Sequence, residues 1–195
     1  DLLIQYRNDA IKRMLGSKID GQKTIVHISH SRGGGTQKYI EDIISQNKDY
    51  NHVIIASSKK LAQRCTLSIV TIENNELLSQ LKLETNEVDI NNEFQWLRSL
   101  CIVERIIIHS LIDFAHPSET LGFLLELDCE REIIIHDYEW ISPNQNLLDK
   151  DMKVVPVRQS ETLFSLDRID KKILFSESLK QHQIERQYFL LSKSK

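Results

Sequence analysis

Short runs rich in isoleucine and valine recur along the 195-residue chain, and they constrain its fold more than any other feature. They fall at 24–28 (TIVHI), 53–56 (VIIA), 67–72 (LSIVTI), 105–108 (RIII), 132–135 (EIII), 153–157 (KVVPV) and 171–175 (KKILF). Several are nearly continuous in apolarity rather than alternating. That pattern suits strands buried on both faces of a parallel sheet covered by helices. Their brevity and β-branching favour strand over buried helix.

Between the runs lie segments with helical spacing. In 36–47, Tyr39, Ile40, Ile43 and Ile44 share one face, and in 92–103 Phe94, Leu97, Leu100 and Cys101 do. Ser118 is placed to cap a helix that turns Leu121, Leu124 and Leu125 inward, with Glu119 in its first turn. Ser176 is placed to cap a last helix running to about residue 191. Strand and helix alternate, which predicts an α/β, Rossmann-like three-layer domain. Its sheet is expected to be mostly parallel, with about six or seven strands and helices on both faces. Segment 1–15 reads as a separate amphipathic helix with Gly16 as its stop, so the expected division is a leader over 1–19 and the domain over 20–195. The polar stretches 142–152 and 158–172 read as long connections.

Composition excludes several classes. Hydrophobic residues make up 41% and charged residues 27%, which rules out a disordered chain. No apolar stretch approaches the ~20 residues that span a bilayer. The formal net charge of −3 leaves no electrostatic footprint for nucleic acid. Cys65, Cys101 and Cys129 are odd in number and widely spaced, with no C-x-x-C pair. Buried free thiols in a reducing cytoplasm are the expected reading. The chain opens on Asp1 with no signal-peptide pattern, so a piece of something longer is expected.

Three features carry chemistry. The first is the glycine triplet Gly33, Gly34 and Gly35 in a chain with six glycines. It falls between the first predicted strand and a helix beginning near Thr36, where backbone N–H groups and a helix N-terminus converge on a site suited to phosphate. It is neither G-x-G-x-x-G nor a P-loop. Ligands favour the carboxyl ends of parallel strands, which gives the triplet weight beyond a tight turn. The second is a set of histidines at strand ends. His30, His109 and His136 follow three of the runs and belong on one rim if those strands are parallel. Residues 27 and 30 alternate in face along an extended strand, so a zinc site is not expected and no metal is predicted. The third is IIIHDYEWISPNQNLLD at 133–149. There His136 and Asp137 can transfer protons or bind hydroxyls, and Tyr138 and Trp140 can stack on a sugar or base. A turn that only starts a helix, satisfied structural histidines, and aromatics covering a core edge are the bland counterparts of these readings.

SRGGGTQKYI, RIIIHSL, EIIIHDYEWISPNQNLLD and KKILFSESLKQHQIERQYF occur in an order that resembles the N-terminal, acceptor-side half of a GT-B glycosyltransferase, most like the retaining family 4 enzymes. The resemblance covers roughly residues 23–190, and the HDY stretch is its most specific part. It implies transfer of a sugar from a nucleotide diphosphate sugar to a saccharide or lipid-linked acceptor, as in polysaccharide biosynthesis. It also implies a C-terminal nucleotide-sugar domain in the same chain, no separate cofactor, and compatibility with peripheral membrane contact. Gly33, Gly34, Gly35 and Thr36 would then face the donor phosphates, His136 would be catalytic, and His109, Asp137 and Tyr138 would line the acceptor side. The fragment alone would be inactive. The rivals are a non-catalytic binding or regulatory domain and another Rossmann-type enzyme such as a methyltransferase. VIIASSKK at 53–60 lacks the acid that often holds a ribose, which counts against the latter.

Overall fold

A computed structural model describes residues 23–57, 64–73, 76–86, 95, 97–99, 101–136 and 169–174. The expected leader over 1–19, the run at 153–157, the connection at 142–152 and the last helix lie outside them. The described strands are β1 (Lys23–His30), β2 (Asn51–Ser57), β3 (Arg64–Glu73), β4 (Glu76–Asn86), β5 (Ile102–Ile108), β6 (Glu130–Ile135) and β7 (Lys171–Leu174). Helix α1 (Gly35–Gln46) follows β1, and α2 (Pro117–Glu126) joins β5 to β6.

The chain has the expected α/β character. The strands form one sheet in the order β4-β3-β2-β1-β5-β6-β7. β2, β1, β5, β6 and β7 run parallel. Among the described residues their centre is the driest part: Ile25, Val26, Ile28, Ile55, Ile106, Ile108, Ile133 and Ile134 have no exposed surface. These are the continuous apolar runs of the sequence, and burial on both faces explains why they do not alternate. On one face Ile25, Ile107 and Ile134 form a row against which Tyr39 and Ile43 of α1 pack.

The structure adds to or departs from the expected pattern in four places. β3 pairs antiparallel with β2, and β4 antiparallel with β3. The stretch between Ser57 and Arg64 is too short for the dozen or more residues of a parallel crossover. β4 itself is not marked by the sequence, because its apolar residues are all leucine and its one β-branched residue is Thr85 near the end. The predicted helix over 92–103 runs too far: β5 begins at Ile102. Finally, α2 starts two residues earlier than a Ser118 cap requires, because Pro117 occupies its first turn and His116 the cap position.

Strands β1 and β5 are adjacent and parallel, yet the strands that follow them, β2 and β6, lie on opposite sides. The chain therefore continues from β1 and from β5 toward opposite sides of the pair, as at the switch point of open α/β sheets.

Candidate functional site at the carboxyl rim

The loop after β1 is built by glycine for a backbone reason. Gly33 and Gly34 adopt φ of 75° and 80°. Gly34, at the cap position of α1, has ψ of −148°, a region that only glycine occupies without strain. Gly35 has no positive φ, and a Cβ on Gly34 or Gly35 would meet nothing within 4 Å. The open space above both residues borders the first turn of α1, whose Thr36 is buried. No side chain caps this helix end.

The loop after β5 is held against it. The Arg32 guanidinium grips the Asp113 carboxylate with two parallel hydrogen bonds, Nε–H to Oδ2 at 2.6 Å and Nη2–H to Oδ1 at 2.5 Å. Such bidentate pairs are both strong and directional. Asp113 takes a left-handed backbone, φ 68°. Beneath the pair, the Ser57 hydroxyl donates to the Ile112 carbonyl at 2.7 Å, and the Ser31 amide donates to the Ser57 carbonyl at 3.1 Å. The ends of β1, β2 and β5 are thus tied into one rim.

Below that rim lies a row of imidazoles. Strand register creates it. His27 on β1 stands opposite Ile54 of β2 and Ile107 of β5, and Ile107 stands opposite Glu132 of β6. His52 lies two residues before Ile54, His109 two after Ile107, and His136 four after Glu132, all on one face by strand alternation. The row therefore runs diagonally across four strands and rises to the carboxyl rim at His136. Neighbouring rings are edge to edge: centroids are 5.3 Å apart at interplanar angles of 24–25°. His27 Nε2 is 3.0 Å from His52 Nδ1, and His27 Nδ1 is 3.1 Å from His109 Nε2. His109 and His136 follow with centroids 5.8 Å apart, and the Tyr39 ring of α1 meets both in a T-shaped arrangement.

The protons in this row can be assigned. The Asn47 carbonyl, 3.0 Å from His52 Nε2, can only accept, so that nitrogen carries the hydrogen. For neutral rings, His52 Nδ1 then accepts from His27 Nε2–H, and His27 Nδ1 accepts from His109 Nε2–H. His109 Nδ1 is left as a lone pair in a fully buried ring, with no hydrogen-bond partner among the described residues. The rings are held neutral. Burial, then the neighbouring His109 and His52, push the pKa of His27 well below the ordinary value; burial, then His136 and His30, do the same to His109. Burial lowers His52 while its bond to Asn47 raises it in part. Burial and His30 lower His136 to about 4.

The sequence-predicted residues divide accordingly. Gly33, Gly34, Gly35, Thr36, His109 and His136 come together around the carboxyl end of β1, β5 and β6. His30, at the end of β1, is close enough to depress both rim imidazoles. Asp137 and Tyr138 lie outside the described residues. His52 and the Arg32–Asp113 clamp were missed. His52 sits at the start of its strand, and nothing in one sequence gives the register that lines it up with His27. Among the described residues no group of three His, Cys, Asp or Glu is arranged to hold a metal ion.

Neither described thiol joins the site. Cys101 and Cys129 precede β5 and β6, at the opposite end of the sheet from the rim histidines. Burial raises the Cys101 thiol and pushes Cys129 up to about 11, so both stay protonated at neutral pH.

No protein-family model and no curated protein matches the chain. A solved structure that matches is a secreted C11 cysteine protease from Bacteroides thetaiotaomicron, "iotapain". It is 10% identical, with a TM-score of 0.38, over 80% of this chain and 46% of that one. The chain thus spans less than half of that protein, and an overlap of this size carries no activity across.

These comparisons correct the expectation drawn from the resemblance. The matched structure is a cysteine protease and not a glycosyltransferase, and no family or curated protein connects the chain to GT-B enzymes. The family 4 assignment, the retaining sugar transfer and the place in polysaccharide biosynthesis are withdrawn. The physical reason lies in the motifs. An Ile-Ile-Ile-His run is what packing asks of any strand buried on both faces that ends at a polar rim, and its most specific companion, HDY, lies mostly beyond the described residues.

Proposed function

We propose that the chain binds a small phosphate-bearing molecule at the carboxyl rim between β1 and β5. The observation that carries this reading is the glycine turn of positive φ at the switch point, which leaves open space beside a helix start with no side-chain cap. Backbone N–H groups at Gly35 and Thr36 would receive the anion, aided by the helix dipole. The absence of side chains at Gly34 and Gly35 keeps that approach open. His136, a neutral ring at the rim, would hydrogen-bond the ligand and orient it. Arg32 acts through Asp113 by fixing the two loops relative to each other.

Ligand binding to the native state raises thermal stability by mass action, about 2.7 kcal/mol at a hundredfold excess over Kd. Inorganic phosphate, pyrophosphate and a nucleoside diphosphate are the probes. At least one is expected to raise Tm and to shift the amide resonances of Gly34, Gly35 and Thr36. His136→Ala should weaken that binding with little change in Tm. If no probe moves either Tm or those amides, the glycine loop is only a turn.

A further inference from the structure

The imidazole row reaches far beyond what ligand binding at the rim requires. A site at the rim needs His136 and its neighbour. It does not need His27 and His52, which carry the hydrogen bonds down to the carbonyl of Asn47 at the other end of α1. Three fully buried polar rings stand where isoleucine or leucine would pack at lower cost. All three are oriented the same way: His109 and His27 each give Nε2–H to the ring below, and His52 gives its own to the Asn47 carbonyl. The top of the chain is a buried lone pair, His109 Nδ1, without a hydrogen-bond partner among the described residues.

We infer that His109, His27 and His52 form a one-directional proton relay that takes a proton at the rim and stores it on His52. The inference goes beyond the binding reading and does not depend on it, since the row is complete without a ligand.

The steps balance. A hydronium ion reaching the rim gives a proton to His109 Nδ1, its O–H bond breaking to leave water. The N–H bond at His109 Nε2 breaks as its hydrogen passes to His27 Nδ1. The hydrogen on His27 Nε2 passes in turn to His52 Nδ1. His109 and His27 end as neutral Nδ1–H rings with every hydrogen bond reversed. His52 ends as an imidazolium that still donates from Nε2 to the Asn47 carbonyl. One proton has entered, one positive charge has been gained, and that charge lies at the far end of the row.

His52 is the natural resting place. It is the ring whose charged form has a carbonyl already aligned to receive its hydrogen. That bond works against the lowering by burial, whereas neighbouring imidazoles add to the lowering at His27 and His109. The other groups around the row set the balance. Arg105 of β5 opposes charge on His27 and His52. The buried Glu132 of β6, 3.6 Å from the Arg105 guanidinium, offsets it. Tyr39 covers the upper rings from α1, and His30 and His136 stand at the rim.

The test is histidine tautomer state in the whole chain, read from two-bond proton–nitrogen correlations with nitrogen-labelled histidine. At pH 8, His52, His27 and His109 should all be Nε2–H. On acidification His52 should gain its second proton, and His27 and His109 should switch to Nδ1–H at the same midpoint while staying neutral. A purely structural row keeps its tautomers as His52 titrates, and that result overturns the relay. So does an Nδ1–H ring at His27 or His109 at pH 8, or unfolding before His52 titrates, since a store must fill in the native state. His27→Gln supplies the second arm, because its amide keeps both hydrogen bonds but cannot hand a proton on. Protonation of His52 should become slower in that variant, and an unchanged rate overturns the rim as the point of entry. Repeating the titration with inorganic phosphate separates the two readings. Phosphate that fails to bind removes the proposed ligand and leaves the tautomer result to judge the relay.

Discussion

Gly34 and Gly35 are neighbours with opposite tolerances. Gly34 holds φ 80° and ψ −148°, where any L side chain is strained whatever space surrounds it. Gly34→Val should cost ~1–3 kcal/mol of stability, the range for a residue forced into such a region. Gly35 has an open position above it, no positive φ, and begins α1. Gly35→Ala should leave stability unchanged or raised by up to ~1 kcal/mol, because alanine is the better helix former. Urea denaturation of the two variants checks the pair. Equal losses would show that the turn does not have the backbone described. The same contrast reaches function: Gly35→Ala places a methyl group in the proposed phosphate approach, so it should weaken phosphate binding in a chain that is fully folded.

Two kinds of element meet at the rim, and they respond to different forces. The strands are held by burial. Ile107 is almost fully buried between Ile25 and Ile134, beneath α1. Ile107→Ala should cost ~2–5 kcal/mol through lost transfer energy and the cavity left behind. The loops are held by hydrogen bonds and by the Arg32–Asp113 ionic clamp. Arg32 is partly exposed, so Arg32→Ala should cost no more than ~1 kcal/mol of global stability. Its effect should appear locally instead. Amides of the loops after β1 and β5 should exchange faster with solvent, and phosphate affinity should fall. Hydrogen exchange of Arg32→Ala beside Ile107→Ala tests this separation: the first should loosen two loops, the second the whole sheet. A uniform loss of protection in Arg32→Ala would make the clamp a part of the core and not a positioning device.

At the scale of the molecule, the neutral imidazoles make stability depend on pH. Folded pKa values for His27, His52, His109 and His136 are all lowered from the ordinary 6.5. The unfolded chain therefore binds more protons than the native one once pH falls below about 6.5. Stability is full above that pH and is lost as pH falls toward the folded values, which for His136 is about 4. Each fully buried imidazole removes about 1.4 kcal/mol per pH unit in that window. Denaturant midpoints should hold between pH 7 and 8 and drop steeply between 6.5 and 4.5. His52→Gln, which keeps a hydrogen-bonding amide in the row, should flatten that slope. If wild-type midpoints are level down to pH 5, the rings are not held neutral as described. A proton stored on His52 in the native state lowers the slope by one histidine's share from the pH at which it binds.

The strands at 24–28, 53–56, 105–108 and 132–135 could be placed from sequence because burial on both faces forces continuous apolarity, a local signal that survives without tertiary context. The glycine turn was as plain, since a positive φ selects glycine one residue at a time. β4 was not visible, because an edge strand whose apolar residues are all leucine has no such compositional mark. The resemblance built on short motifs failed for the converse reason: strand, histidine and glycine turn are what the sheet itself demands, whatever the chemistry. His109 and His136 could be assigned to a common rim from their places after strands. Their union with His27 and His52 could not, because it depends on a register that brings together residues 25 and 82 positions apart in the chain. Local sequence determined which segments are strands and where the chain turns. Only the paired sheet decided that four histidines from four strands share one diagonal, since side chains on separate strands meet through backbone hydrogen bonding between them and not through anything encoded within either strand.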